Sequence, residues 1–286
     1  MLLLQLLVNG LVTGCALGMV AISFSLVFAT TKIFHVAHAG VYTMAGYLTW
    51  SLITHGVPDA LAMILSVAVC AIVGALIQNQ LYDRLERRRA TPLVVLIASL
   101  GLLAVMQNII AAVYTPNILQ FPSPWSSRMV SVGSIRLNYT QMLTVVIGLL
   151  AYVATVQFTT RSILGKRIRA VASNPFLAEI TQLAPRSVYV YVIAIASALV
   201  ALPGVLVPLD LGLQPYGGIT PLLTATVAMI AGGVGSISGA FVVAVGIAVL
   251  QNLSLLVMPG EWSIGVTFFI FVIFMLFRPT GLFVAR

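Results

Sequence analysis

Residues 211–260 read LGLQPYGGITPLLTATVAMIAGGVGSISGAFVVAVGIAVLQNLSLLVMPG, a stretch without one Asp, Glu, Lys or Arg. A helix crosses a bilayer with about 20 apolar residues, so this stretch has room to cross, turn and return. The turn can be read from composition. Gly232, Gly233, Gly235 and Gly239 crowd into the middle, and each glycine costs a helix about 1 kcal/mol relative to alanine. Two readings of these glycines coexist. They permit close helix–helix packing, and they break a helix so that its freed backbone groups line a cavity.

Working outward, the absence of charge recurs at 1–31, 60–82, 90–127, 137–160, 187–209 and 262–277. Only 7% of the residues are charged and 60% are hydrophobic, against about 25% charged in a soluble domain. Only helices and closed barrels satisfy their backbone in lipid. Apolar runs without strict alternation favour helices. The expected fold is therefore all-α: one polytopic transmembrane domain, residues 1–286, of about eight segments with broken helices. The segments are expected at 2–29, 36–54, 60–82, 92–114, 138–158 and 188–208, across 211–260, and at 263–277. The first run lacks a basic n-region and a small-residue cleavage site, so it reads as a retained helix.

The net charge of +8 would suit nucleic acid, but no basic stripe with interleaved aromatics exists. The basic residues sit in short loops instead. Lys32, Arg84, Arg87, Arg88, Arg89, Arg161, Lys166, Arg167, Arg169, Arg186, Arg278 and Arg286 mark the cytoplasmic side by the positive-inside rule. The N-terminus is then outside and the C-terminus cytoplasmic. Asp59, Asp210, Glu261 and a Pro-rich loop holding Arg128 and Arg136 fall outside. Trp50, Trp125 and Trp262 read as an interfacial aromatic belt. Cys15 and Cys70, both in apolar runs, read as packing residues.

No catalytic constellation is visible. Gly165-Lys166 comes closest to a phosphate-binding loop, but it lacks the first glycine and the Ser/Thr. No His/Cys cluster suggests a metal. The six acidic residues all read as lying outside the spans. An ion-coupled carrier keeps ionisable groups at mid-depth, and only His35 and His38 qualify. The energy for transport is therefore expected on another subunit. Asn9, Gln78, Asn79, Gln107, Asn108, Gln251 and Asn252 read as interhelical hydrogen-bonding groups. In the basic loop 159–187, Ser173 or Asn174 reads as an N-cap, with Pro175 at the first helical position. A short helix over 175–183 is expected, as a membrane-surface helix or a docking element.

Gly165-Lys166-Arg167-Ile168-Arg169-Ala170-Val171-Ala172 with Asn174 resembles the cytoplasmic loop of branched-chain amino-acid ABC permeases of the LivH type. Other stretches agree in order. They are Ala37-His38 with Val41-Tyr42 and Tyr47; Thr91-Pro92-Leu93 with Ser99-Leu100-Gly101 and Gln107-Asn108; Gly232-Gly233-Val234-Gly235-Ser236-Ile237 with Gly239-Ala240; and Phe277-Arg278-Pro279-Thr280-Gly281-Leu282-Phe283. The sequence departs from the family pattern at His35, where an Asn is usual. It departs again at His38-Ala39, where the glycine is displaced to Gly40, at Ala45-Gly46-Tyr47, and at Gln182, where a glycine is usual.

The resemblance implies a non-catalytic permease subunit of an ATP-driven importer in the inner membrane of a bacterium or archaeon. It implies a LivM-like second permease subunit, two cytoplasmic ATPases that carry the ATP-Mg, and an extracytoplasmic substrate-binding protein. No cofactor is expected on this chain. The substrate it implies is a branched-chain or other amino acid, with urea, short amides and aromatic acids as alternatives. The competing classes are an ion-coupled secondary carrier and a structural membrane subunit. With the expected breaks, the resemblance places His35, His38, Tyr42, Gln107, Asn108, Gly232, Gly233, Gly235, Ser236 and Gly239 along the pathway. It places Gly165, Lys166, Arg169, Ala170, Asn174, Ala178 and Glu179 at the ATPase-docking site.

Overall fold

The computed structural model describes residues 2–121, 129–132, 135–278 and 281–283. Trp125, Arg128, Pro279, Thr280 and Arg286 lie outside them. Helix α1 (Leu2–Thr31) is followed by α2 (His38–Thr54), α3 (Asp59–Ile77), a π-turn (Gln78–Tyr82), α4 (Asp83–Arg87) and α5 (Pro92–Tyr114). A hairpin of β1 (Met129–Val132) and β2 (Ile135–Asn138) leads into α6 (Tyr139–Arg161), α7 (Ile163–Ser173), α8 (Pro175–Ile180) and α9 (Pro185–Leu211). The chain ends with α10 (Ile219–Gly232), α11 (Ile237–Ser254) and α12 (Ser263–Phe277).

Among the described residues, seven helical runs are long and apolar enough to cross a membrane, with α3 through α4 (Asp59–Arg87) taken as one run and α12 taken together with the 3-10 turn that precedes it (Gly260–Phe277). Two further apolar helices, α2 with 17 residues and α10 with 14, are shorter. At 1.5 Å per residue they span about 25 and 21 Å, less than a hydrocarbon core of about 30 Å. The expectation of about eight segments falls between seven long spans and nine apolar helices. The difference lies in these two short helices, which sit largely inside the bundle.

Helix α1 is the axis of that bundle. It is apolar on every side, and nearly all of residues 14–27 are buried. Gly10, Gly14 and Gly18 form a stripe at helical spacing against α11. A Cβ at Gly10 would lie 2.8 Å from the Val249 Cα, one at Gly14 2.8 Å from the Val245 Cα, and one at Gly18 2.5 Å from the Phe241 ring. Small residues at this spacing let two helix backbones approach in a membrane, where dispersion drives helix association. Between α3 and α9, Gly74 packs against Ser197. Between α2 and α9, Gly204 faces the Tyr42 carbonyl.

The fold has two ends. The basic end gathers the C-terminus of α1, α4, α7, α8 and the turn after α10. There Asp83 pairs with Arg87 at 2.8 Å and with Arg186 at 3.3 Å, so α4 is tied to the start of α9. At the opposite end Gln5 acts as a surrogate strand edge. Its Nε2 donates to the Arg136 carbonyl at 2.9 Å, and its Oε1 accepts from the Arg136 amide at 2.9 Å. The β1–β2 pairing there is antiparallel, with Met129 opposite Asn138. This hairpin and an isolated antiparallel bridge between Leu119 and Leu213 are the departures from all-α among the described residues.

The glycine-rich turn is a true break. Helix α10 stops at Gly232 and α11 begins at Ile237, capped by the Ser236 hydroxyl, which accepts from the Gly239 amide at 3.1 Å. Gly233 and Gly235 have φ of 103° and 89°, a region open to glycine and costly for other residues. A helix end leaves its last carbonyls unpaired. Here the C-terminal tail supplies donors. The Leu282 amide donates to the Ala231 carbonyl at 2.9 Å, and the Phe283 amide to the Gly232 carbonyl at 3.1 Å.

Replacing Gly14 with leucine should force α1 from α11. Over-packing of this kind costs about 1–3 kcal/mol. Thermal unfolding of the purified protein in detergent should show a lowered midpoint for Gly14→Leu. A midpoint equal to wild type would refute the α1–α11 contact.

Candidate functional site

The chain between α1 and α2, residues 32–37, carries His35, and His38 opens α2 directly after it. Both are fully buried. The Ser23 hydroxyl donates to the Val20 carbonyl at 2.8 Å, so it accepts from His38 Nε2 at 2.9 Å. The Tyr82 hydroxyl donates to Ser99 Oγ at 2.8 Å, so it accepts from His35 Nδ1 at 2.6 Å. Ser99 Oγ also accepts from the Ala37 amide at 3.0 Å. This chain of bonds ties the break to the π-turn and to α5. The histidines brace the break, and neither lines the cavities described below. Helices α1, α2 and α5 and the π-turn close around both histidines.

The other expected pathway residues scatter. Gln107 is buried on α5, and its Nε2 has no partner among the described residues. Asn108 is exposed and bonds back to the Ala104 carbonyl at 2.8 Å, so it faces away from the bundle. Gly232 and Gly239 pack backbone to backbone. Gly235 and Ser236 border a cavity of about 240 Å³ at the basic end, shared with Thr30 and Thr159. Tyr42 lines a further cavity.

This cavity, about 390 Å³, opens among α1, α6, α9, α10, α11 and α12; another, bordered by Phe28, Tyr82 and Tyr189, is larger at about 580 Å³. The polar wall of the 390 Å³ cavity includes Asn9 and Thr13 from α1, Thr140 and Thr144 from α6, and Thr224 from α10. Its apolar wall includes Leu17, Val20 and Leu206. Among the described residues, Asp210, in the last turn of α9, is the one charged residue lining it. Asp210 had read as lying outside the spans. The structure corrects this, since α9 continues to Leu211 and turns the carboxylate inward. Asp210 Oδ1 accepts from Asn138 Nδ2, and Oδ2 accepts from Gln141 Nε2 at 3.1 Å. Asn138 and Gln141 themselves form the capping box that starts α6. A signal was present in the sequence: Asp210 is the lone charge joining two long apolar runs.

Loop 159–187 is helical. Ser162 caps α7, accepting from the Gly165 amide at 2.8 Å. Asn174 caps α8 at 3.1 Å, with Pro175 at its first position as expected. Helix α8 ends at Ile180 rather than 183. Lys166, Arg169, Ala170, Asn174 and Glu179 are exposed. Gly165 is buried, because α7 folds back onto the Phe158 carbonyl. Ala178 is also buried, at 5% exposure, and packs into the core of its own chain. The exposed face of α8 is instead Phe176, Leu177, Glu179 and Ile180.

The departure at Gln182 has a structural meaning. Its φ is 62°. The Gln182 amide bonds to the Glu179 carbonyl and the Leu183 amide to the Ala178 carbonyl, both at 3.0 Å. This is a Schellman end with glutamine at the left-handed position where glycine is favoured. Gln182→Gly should stabilise the chain by about 1 kcal/mol, read as a raised thermal midpoint. A lowered midpoint would refute the strain at Gln182.

A bundle of apolar helices with two breaks, one polar cavity and a helical protrusion at its basic end defines a multi-pass membrane protein of the transport class. The family described as branched-chain amino acid transport system, permease component, matches residues 6–275. The chain belongs to this family. It is 27% identical to the high-affinity branched-chain amino acid transport system permease protein BraD of Pseudomonas aeruginosa, over 98% of this chain and 95% of that one. It is 25% identical to the LivH proteins of Salmonella typhimurium and Escherichia coli K12, over 98% of this chain and 94% of each. A solved structure, PsaBC from Streptococcus pneumoniae in complex with Fab, shares the fold. Its TM-score is 0.54 at 12% identity, over 95% of this chain and 91% of that one.

Proposed function

We propose that the chain is the transmembrane permease subunit of an ATP-driven importer of branched-chain amino acids. The observation that carries this reading is the family match across nearly the whole chain, joined to an exposed helical pair at the basic end. The basic end is cytoplasmic by the positive-inside rule, so the N-terminus is outside and the C-terminus cytoplasmic. Two ATPase subunits dock on α7 and α8 and carry the ATP-Mg; the chain itself needs no cofactor. A second, LivM-like permease subunit completes the pathway, and an extracytoplasmic binding protein delivers the substrate at the opposite end.

The coupling logic follows from packing. Phe176, Leu177 and Ile180 are 69%, 57% and 63% exposed, an apolar face on a short helix beside cationic α7. Ala178 anchors the same helix to the core. The α4–α9 ion pair and the Tyr82–His35 link continue from there to the first break. Motion of the docked ATPases therefore reaches the α1–α2 break through packed side chains. The chain gates passage and performs no bond chemistry.

Ile180→Glu should leave assembly intact and uncouple ATP hydrolysis from leucine uptake in proteoliposomes of the complete complex. Normal uptake by this variant would refute the docking face. Uptake that collapses with a protonophore at constant ATP would favour an ion-coupled carrier instead. Orientation is tested separately. A cysteine at Ser131, in the exposed β1 strand, should react with an impermeant thiol reagent in intact cells, and one at Arg88 should not. The reverse pattern would overturn the orientation.

A further inference from the structure

We propose that the cavity among α1, α6 and α9 is a binding site for one zwitterionic amino acid with an aliphatic side chain, held inside this subunit with its ammonium group on Asp210. The proposal rests on the importer reading above and adds a site to it. The cavity's 390 Å³ lies near the small end of the roughly 300–1,000 Å³ typical of small-molecule sites.

The lining changes character with depth. Along α1 it passes from Asn9 and Thr13 to Leu17 and Val20, and along α9 from Asp210 to Leu206. A ligand with a charged head and an apolar tail would enter tail first. Asp210 fixes the sign of the head. An ionised carboxylate offers about four acceptor positions. Asn138 and Gln141 occupy two, which leaves acceptor capacity for a primary ammonium, itself a three-fold donor. A divalent cation is a poor fit, because it wants six or more oxygen ligands and both fixed partners of this carboxylate are N–H donors.

Donors for the ligand's carboxylate are present as well. Asn9 Oδ1 accepts from Gln5 Nε2 at 2.9 Å, so the Asn9 amide nitrogen remains available to donate. Thr13, one turn further on, adds a hydroxyl. Thr140 is 1% exposed, lines the cavity, and its hydroxyl has no partner among the described residues. A buried hydroxyl without a partner carries a free-energy cost, and a polar ligand group would relieve it.

The test uses the full chain in phosphatidylcholine nanodiscs and measures binding of radiolabelled leucine. The competitors are 4-methylpentanoate, which lacks the ammonium, and leucine methyl ester, which lacks the carboxylate. Both should compete at least about tenfold more weakly than leucine, since a hydrogen bond to a charged group contributes about 1.5–3 kcal/mol. Asp210→Asn should bring leucine down to the level of 4-methylpentanoate. Because this variant also touches the α6 cap, Thr13→Leu provides a second route. Thr13 is outside the cap network and exposed in the cavity, so its replacement should abolish binding without lowering the thermal midpoint. Equal competition by 4-methylpentanoate, unchanged binding in Thr13→Leu, or a tightly held lipid that leucine does not displace would overturn the site. ATP-driven leucine import by the complete complex, with no binding to the chain, would refute the site and leave the importer reading standing. Absence of any branched-chain amino acid import by that complex would overturn the reading itself.

Discussion

The bundle is referenced to one line of contact, where α1 meets α11 across Gly10, Gly14 and Gly18. In lipid, hydrophobic burial offers little preference between a neighbouring helix and a lipid tail, so close approach and dispersion must hold helices together. The glycine stripe brings the α11 backbone to within van der Waals distance of α1. With α1 thus enclosed, α6, α9 and α10 pack around its remaining faces. The breaks on either side of this axis are tolerable because the frame around them is rigid.

Each break is satisfied in its own way. After α1, the chain is braced by His35, Tyr82 and Ser99 on one side and by His38 and Ser23 on the other. After α10, left-handed glycines turn the chain, Ser236 starts the next helix, and the C-terminal tail covers the exposed carbonyls. Backbone polar groups cannot be left unpaired at membrane depth. The tail motif and the glycine turn, far apart in sequence, are therefore one structural unit.

The cavity and the docking pair share a second principle. In both, a residue that fixes the local fold stands next to residues free to meet a partner. Asp210 holds the α6 cap with two of its acceptor positions and presents the rest to the cavity. Ala178 seats α8 in the core, while Phe176, Leu177 and Ile180 face outward. Both arrangements depend on which face of a helix a residue occupies, and hence on neighbours distant in sequence.

The sequence by itself determined the class, the ends of α5 and α12 and the place of the glycine break. Helix α5 begins and ends where the apolar run and Thr91-Pro92 put it, and α12 spans the expected 263–277. Those features are local: apolar length, caps, prolines and clustered glycines act within a few residues of themselves. The tertiary structure decided which polar residues face a cavity. That His35 bonds Tyr82 and His38 bonds Ser23, both inside the bundle, could not be read from their neighbours in sequence. Asp210 read as lying outside the spans and became the charged wall of the cavity, because α9 runs one turn further than its apolar run suggested and meets Asn138 and Gln141. Burial and hydrogen-bond partnership are properties of packed neighbours, and a helix pattern alone does not specify which neighbours it will meet.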